Sequence, residues 1–268
     1  MTTSNLQLHP ATVVEQIELA PNIFQLWLHC PPLMRGATPG RFLMLHCSDS
    51  NDPLLPRPMS YHRFRPSKHQ SQTPNAYDFA ILYDVRGRGT TWLSHRRPGD
   101  TINVFGPLGR GYDLKEDTQN VLLVAGGMGV AAVIALADEA VAAGKNVTLL
   151  QGARAADLLF PHELLPTDVE SISATDDGSA GHHGLVTGLL KEHLPWADQT
   201  FACGPNPMFA SMADVVNTAR SRKEVQVLME ERMGCGTGVC YGCAVFTRKG
   251  VRLVCKDGPR FSLREVFA

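Results

Sequence analysis

The chain has 268 residues, 44% hydrophobic and 19% charged, with a formal net charge of -1. That composition is globular and excludes collagen-like and disordered classes, and the near-zero charge leaves no basic excess for nucleic acid or anionic lipid. The seven cysteines are an odd number, and four of them fall between positions 235 and 255. That clustering fits thiolate ligation in a reducing cytoplasm, not a secreted disulfide framework.

The N-terminus, MTTSNLQLHP, has neither a basic n-region nor an apolar h-region, so no signal peptide is read and a cytoplasmic protein is expected. Residues 1–112 read as β structure. Short apolar or alternating runs at 12–17, 23–29, 42–47, 79–85 and 102–105 are separated by Pro and Gly clusters such as PPLMRGATPG and RRPGD. Many short strands with such punctuation predict an antiparallel barrel or sandwich. Residues 113–224 change character. A run at 121–124 leads into Gly126, Gly127 and Gly129, then an Ala-rich helical stretch to Ala143, with Gly144 at the C-cap and the next strand at 146–151. This is a βαβ unit and hence a parallel sheet. The apolar stretch 121–137 is too short for the ~20 residues of a membrane span, and three glycines interrupt it. Further strands are expected at 169–173 and 200–203, with helices at 186–193 and 207–220. In the small third segment, 225–268, a strand at 225–229 precedes a Cys/Gly-rich loop and a hairpin, 241–248 and 250–255.

Three constellations carry chemistry. The strongest is CGTGVCYGC, in which Cys235, Cys240 and Cys243 have the C-x4-C-x2-C spacing, followed by Cys255. This is the plant-type spacing for a 2Fe–2S cluster. Gly234, Gly236, Gly238 and Gly242 permit left-handed turns and let N–H groups face sulfur. Structural zinc, the alternative, more often uses paired C-x2-C knuckles. Second, Gly127-Met-Gly129-Val-Ala-Ala132 places a G-x-G-x-x-A between strand and helix, which suits a pyrophosphate on a helix N-terminus. No acidic residue ends the following strand, where Gln151-Gly-Ala-Arg154 stands, so the dinucleotide fingerprint is incomplete. Third, Arg57-Pro-Met-Ser60 offers an Arg before a rigid Pro for phosphate, and Thr90 and Thr91 are placed to cap a short helix. Cys203, in Cys-Gly-Pro-Asn-Pro-Met, ends a parallel strand where ligands bind. Cys30 and Cys47 read as small core residues, and His182 and His183 as solvated.

In order, RPMS, GRGTTWLS, LLVAGGMGVAAV, FACGPNPM, EERMGCGTGVCYGC and CKDGP resemble the electron-transfer subunits of dihydroorotate dehydrogenase B, within the ferredoxin-NADP reductase superfamily. The resemblance runs end to end and is most specific in the tail. It implies an FAD-binding β-barrel over 1–112, an NAD-binding α/β domain over 113–224 and a 2Fe–2S domain over 225–268. Arg57, Pro58, Met59 and Ser60 match the first flavin motif, Leu82, Tyr83 and Asp84 the second, and Gly89 and Thr90 the third. Gly126, Gly127 and Gly129 match the turn under the NAD pyrophosphate. Cys203, Gly204 and Pro205 match the motif beside the nicotinamide, and Cys235, Cys240, Cys243 and Cys255 the cluster ligands. Two departures stand out: Ala131 and Ala132 replace a frequent Pro pair, and Asp84 replaces a basic residue.

The implied function is an electron relay between NAD(H), FAD and the cluster, with no general acid or base required. The implied partner is an FMN-containing dihydroorotate dehydrogenase catalytic subunit, in a heterotetramer of two of each. Rival readings are the flavin subunit of a sulfhydrogenase or of an NADH-dependent ferredoxin oxidoreductase, and, from another class, a structural zinc-binding interaction module. Arg154 suits a 2′-phosphate while Asp176 and Asp177 would repel one, so NADH and NADPH both stay open.

Overall fold

The structure, a computed structural model, describes residues 7–67 and 77–267. The first six residues of the stretch read for a signal peptide lie outside the described residues. Among the described residues, two seven-stranded sheets and a two-stranded hairpin make up the β structure.

The first sheet is antiparallel throughout. It comprises β1 (His9–Ala20), β2 (Ile23–His29), β3 (Phe42–Leu45), β4 (Arg57–Ser60), β5 (Arg63–Pro66), β6 (Tyr77–Asp84) and β7 (Thr101–Leu108). Helix α1 (Pro31–Met34) follows β2 and α2 (Arg88–Ser94) follows β6. The strand order is β4-β3-β7-β1-β2-β6-β5. The expected barrel is therefore a curled sheet without a closing ladder. Its two edges, β4 and β5, sit at opposite ends of the order, yet only Tyr61 and His62 separate them along the chain. Covalent continuity brings the edges together, and Pro58 and Pro66, which have no N–H to donate, occupy the two edge strands where proline is tolerated. Strand β3 is apolar on both faces. Leu43 and Leu45 enter the barrel core with Leu26, Tyr61 and Phe79, while Phe42 and Met44 enter a core shared with the C-terminal segment. Cys30 and Cys47 are buried core residues, as their apolar strands imply.

The second sheet holds β8 (Asn120–Gly126), β9 (Asn146–Ala153), β10 (Val169–Thr175), β11 (His182–His183), β12 (Gln199–Cys203) and β13 (Glu224–Leu228), all parallel. Helix α3 (Val130–Ala142) joins β8 to β9; α4 (Thr187–His193) and α5 (Asn206–Thr218) flank β12. The apolar stretch at 121–137 is thus a buried strand and a buried helix, and among the described residues no helix is long and apolar enough to cross a membrane. Gly144 ends α3 with φ +70 and an N–H donated to Val141. His182 and His183 are exposed.

The C-terminal segment forms β14 (Ala244–Thr247), β15 (Gly250–Leu253), α6 (Val254–Asp257), β16 (Arg260–Ser262) and α7 (Leu263–Val266). Strand β16 pairs antiparallel with β13, so the segment ends inside the central sheet, and β13 itself straddles the boundary expected at residue 225. The hairpin is shorter than expected. Tyr241 has φ +59, outside strand geometry, and Cys255 lies on α6. Helix α2 also starts earlier than Thr90. The Thr90 hydroxyl accepts from the Arg86 and Gly87 N–H groups, so Thr90 supports the cap from inside the first turn.

Candidate functional site

The strand order β11-β10-β9-β8-β12-β13-β16 reverses direction between β8 and β12. Ligands in open parallel sheets bind beyond the carboxyl ends of strands at such a reversal. A cleft of about 1150 Å³ opens there. Three segments distant in sequence line it: Pro58, Met59 and Ser60 from β4, the Gly126–Gly129 turn after β8, and Cys203, Gly204 and Pro205 after β12. Leu82, Tyr83 and Asp84 complete the barrel side. Arg57, Gly89 and Thr90 do not line the cleft. A second depression, formed by residues including Arg86, Gly87, Arg88, Thr91 and Trp92, joins it through the shared Arg86. Arg57 reaches this area, with its guanidinium packed on Gly89 and Nη1 donating to the Leu55 carbonyl at 2.5 Å. Asp84, the acidic departure, pairs with Arg86 at 2.7 Å, so a basic group faces the cleft two residues later.

The glycine turn is a packing requirement as well as an opening. A Cβ on Gly129 would overlap the Cys203 carbonyl, whereas one on Gly127 would meet nothing within 4 Å. The two strand ends therefore touch through Gly129, and Gly127, with φ +53, leaves its backbone open to the cleft. Open N–H groups at the start of α3 fit a pyrophosphate.

Sequence reasoning missed Glu230. It follows β13 on the floor of the cleft, and its Oε1 accepts from the Cys203 thiol at 3.6 Å. Glu230 keeps solvent access along the cleft, but the protein packed around its carboxyl raises its pKa, against the pull of Cys203 and Arg86. Burial first, then Glu230, pushes the Cys203 thiol well above its ordinary value. Cys203 is thus a neutral donor and not a nucleophilic thiolate. The available signal was position: the residue just beyond β13, the parallel strand paired with β12.

The four tail cysteines are all free thiols. Among the described residues, no three His, Cys, Asp or Glu side chains converge as around a single metal ion. The sulfurs fall into two pairs. Cys235 accepts from the Cys240 and Thr237 N–H groups at 3.4 Å, and Cys243 accepts from the Cys255 N–H at 3.5 Å. Burial opposes ionisation of Cys235, but those N–H groups outweigh it and bring its pKa down to about 6. Burial, then the adjacent Cys243, pushes Cys255 up to about 12. Two pairs of sulfurs with backbone donors aimed at them suit a group with two irons. Gly236 holds this loop against the barrel: with φ +69, its Cβ would lie 2.7 Å from Met44 Cγ.

Residues 230–267 match the iron–sulfur cluster binding domain of dihydroorotate dehydrogenase B. The chain is 36% identical over 258 residues to the dihydroorotate dehydrogenase B (NAD(+)) electron transfer subunit of Desulforamulus reducens, covering 94% of this chain and 95% of that one. The corresponding subunit of a Geobacillus species is also 36% identical, over 260 residues, covering 95% and 96%. Among solved structures, an NADH-dependent reduced ferredoxin-NADP oxidoreductase studied for electron bifurcation superposes with a TM-score of 0.79 at 29% identity, covering 99% of this chain and 91% of that one. The curled barrel, the reversed parallel sheet and the paired sulfurs agree with sequence similarity that spans nearly the whole chain: it belongs to the family of dihydroorotate dehydrogenase B (NAD(+)) electron transfer subunits.

Proposed function

We propose that this chain is the electron-transfer flavoprotein subunit of a dihydroorotate dehydrogenase. It passes electrons between NAD(H), FAD and a 2Fe–2S cluster, to or from the FMN of a catalytic subunit in pyrimidine biosynthesis. Family membership supports the class and the cofactors. One observation carries the reading at the level of residues. One face of strand β3 meets both the cleft and the cysteine loop, with Phe42 lining the cleft and Met44 packed against Gly236, beside Cys235. Positions i and i+2 share a face and are about 6.6–6.8 Å apart, so the two sites meet neighbouring side chains of that face.

The residues have these roles in the proposal. Arg57 pairs with FAD phosphate, while Gly89 and Thr90 shape the turn that receives it. Pro58, Met59 and Ser60, with Leu82, Tyr83 and Asp84, hold the isoalloxazine side of the cleft. Gly126, Gly127 and Gly129 seat the dinucleotide pyrophosphate. Cys203, Gly204 and Pro205 face the nicotinamide, and the Cys203 thiol is kept protonated beside Glu230. Cys235, Cys240, Cys243 and Cys255 hold the cluster. Bound FAD supplies the exchange between a two-electron hydride and one-electron steps. The chain orients the reactants and excludes water, and it does not itself oxidise dihydroorotate.

The ligand loop carries exposed apolar residues, Val239 at 78% and Tyr241 at 65%, with Leu54 and Leu55 nearby. Such a patch suits the catalytic partner, in a heterotetramer of two of each subunit. The need for reduced thiols at a cluster supports a cytoplasmic location.

Anaerobic pull-down with cofactor analysis tests the reading. Recovery of an FMN-containing subunit, with FAD and two irons on this chain, supports it. Recovery with a hydrogenase or a large two-cluster flavoprotein, or a colourless zinc protein, overturns it. Arg57→Ala is expected to weaken FAD retention ~10–100-fold, since a hydrogen bond to a charged group contributes ~1.5–3 kcal/mol. Flavin released per chain on denaturation measures this.

A further inference from the structure

We propose that His62 and Arg63 form a positioning brace. They hold α3 from Ala131 to Asp138, and so the dinucleotide turn, at a set distance from Ser60 and the flavin side of the cleft. This deepens the functional reading above and rests on it.

Ser60, Tyr61, His62 and Arg63 are consecutive, and they run from the cleft edge of β4 into β5. Ser60 lines the cleft. Two residues on, His62 is fully buried, and its Nδ1 lies 3.0 Å from the Ala131 carbonyl. A carbonyl can only accept, so Nδ1 carries the proton. Burial pushes the His62 pKa down to about 3, and the imidazole stays neutral. Its Nε2 has no partner, and its ring stands edge-on to Phe160 at 5.6 Å. An unpaired buried acceptor is destabilising, so what the imidazole contributes is its contact with α3.

Arg63 then grips the same helix. Its Nε and Nη2 donate to the two Asp138 oxygens at 2.8 and 2.7 Å, and Nη1 donates to the Leu164 carbonyl at 2.7 Å. Bidentate pairing fixes direction as well as distance. Ala131 and Asp138 are seven positions apart, two helical turns and about 10 Å along one face. One anchor would let the helix pivot on the barrel, whereas two adjacent anchors prevent it. Ala131 itself lines the cleft, so the first anchor acts beside the site. Hydride transfer is sensitive to such placement, with a 1 Å error costing ~100-fold.

The test uses the full chain loaded with FAD and cluster, comparing Arg63→Ala with the charge-reversed pair Arg63→Asp/Asp138→Arg. Stopped-flow flavin bleaching by NADH, NAD+ affinity, the long-wavelength charge-transfer absorbance of reduced flavin with NAD+, and amide exchange along α3 are measured. Arg63→Ala is expected to slow bleaching ~10–100-fold and weaken the charge-transfer band. Exchange should rise in α3 between Ala131 and Asp138, with NAD+ affinity and the electron paramagnetic resonance signal of the reduced cluster held. The reversed pair should recover most of the rate. Unchanged bleaching and charge-transfer absorbance, with only lower thermal stability, would overturn the brace. If Arg63→Ala does not fold, Arg63→Lys, which keeps one bond to Asp138, should give intermediate rates, and a wild-type rate there overturns the idea. If wild-type protein is itself not bleached by NADH, the functional reading falls. In that event amide exchange decides the brace alone: faster α3 exchange in Arg63→Ala supports it, and equal protection refutes it.

Discussion

Cys240→Ser is expected to leave NADH reduction of the flavin intact while stopping electron delivery to the partner. Cys240 is exposed, accepts from the Gly242 N–H at 3.5 Å and donates its own N–H to Cys235. A serine oxygen keeps the shape, but it is a harder ligand that ionises far less readily than a thiol. Loss of outer-shell partners alone costs ~10–100-fold at metal sites, so removal of a ligand should lower partner reduction by at least ~100-fold. None of the four cysteines lines the nucleotide cleft, and Met44 and Phe42 lie between the two sites. Flavin bleaching by NADH should therefore stay within about twofold of wild type. Stopped-flow absorbance, with electron paramagnetic resonance of dithionite-reduced protein, reads both halves. Bleaching that fails together with delivery would contradict the division between the two sites.

Gly129→Ala should be the most damaging single-methyl change in the nucleotide site. The added carbon would overlap the Cys203 carbonyl, which belongs to β12. That strand cannot yield, because it is paired with β8 on one side and β13 on the other. Helix α3 must shift instead, against a buried core and against the His62 and Arg63 contacts. Overpacking of this kind costs ~1–3 kcal/mol, and a rigid backbone obstacle puts Gly129→Ala at the upper end. NADH bleaching should fall with it, while FAD retention holds. Gly127→Ala is the control. It meets nothing within 4 Å, and its φ of +53 imposes only the ~1–2 kcal/mol of a left-handed residue. Urea denaturation of the two variants compares them. Greater loss in Gly127→Ala would show that chain conformation, and not the contact with Cys203, governs the turn.

Much of the site was legible because its parts are local. The spacing of Cys235, Cys240 and Cys243 is a property of nine residues, and so is the strand–glycine–helix pattern around Gly127. Such patterns need only short-range geometry, and the structure keeps them nearly as written. Where local reasoning slipped, the slip was also local. Helix α2 begins before Thr90 because the Thr90 hydroxyl reaches back to Arg86 and Gly87. Cys255 left the expected hairpin for α6, where it meets Cys243.

By itself the sequence determined the spacing of the tail cysteines, the βαβ unit and the succession of β-rich, α/β and cysteine-rich segments, since each rests on periodicity or on neighbours a few positions apart. Only the tertiary structure decided three further things. Residue 230 stands against Cys203, β16 returns from the cysteine segment to pair with β13, and His62 and Arg63 clamp Ala131 and Asp138. These pairings join residues separated by 27 to 75 positions. Apart from proximity in the fold, no spacing rule relates such residues. They meet because the buried faces of β3, α3 and the central sheet have one mutually satisfying arrangement, and that arrangement brings the glycine turn, the barrel edge and the cysteine loop to a common cleft and its rear wall.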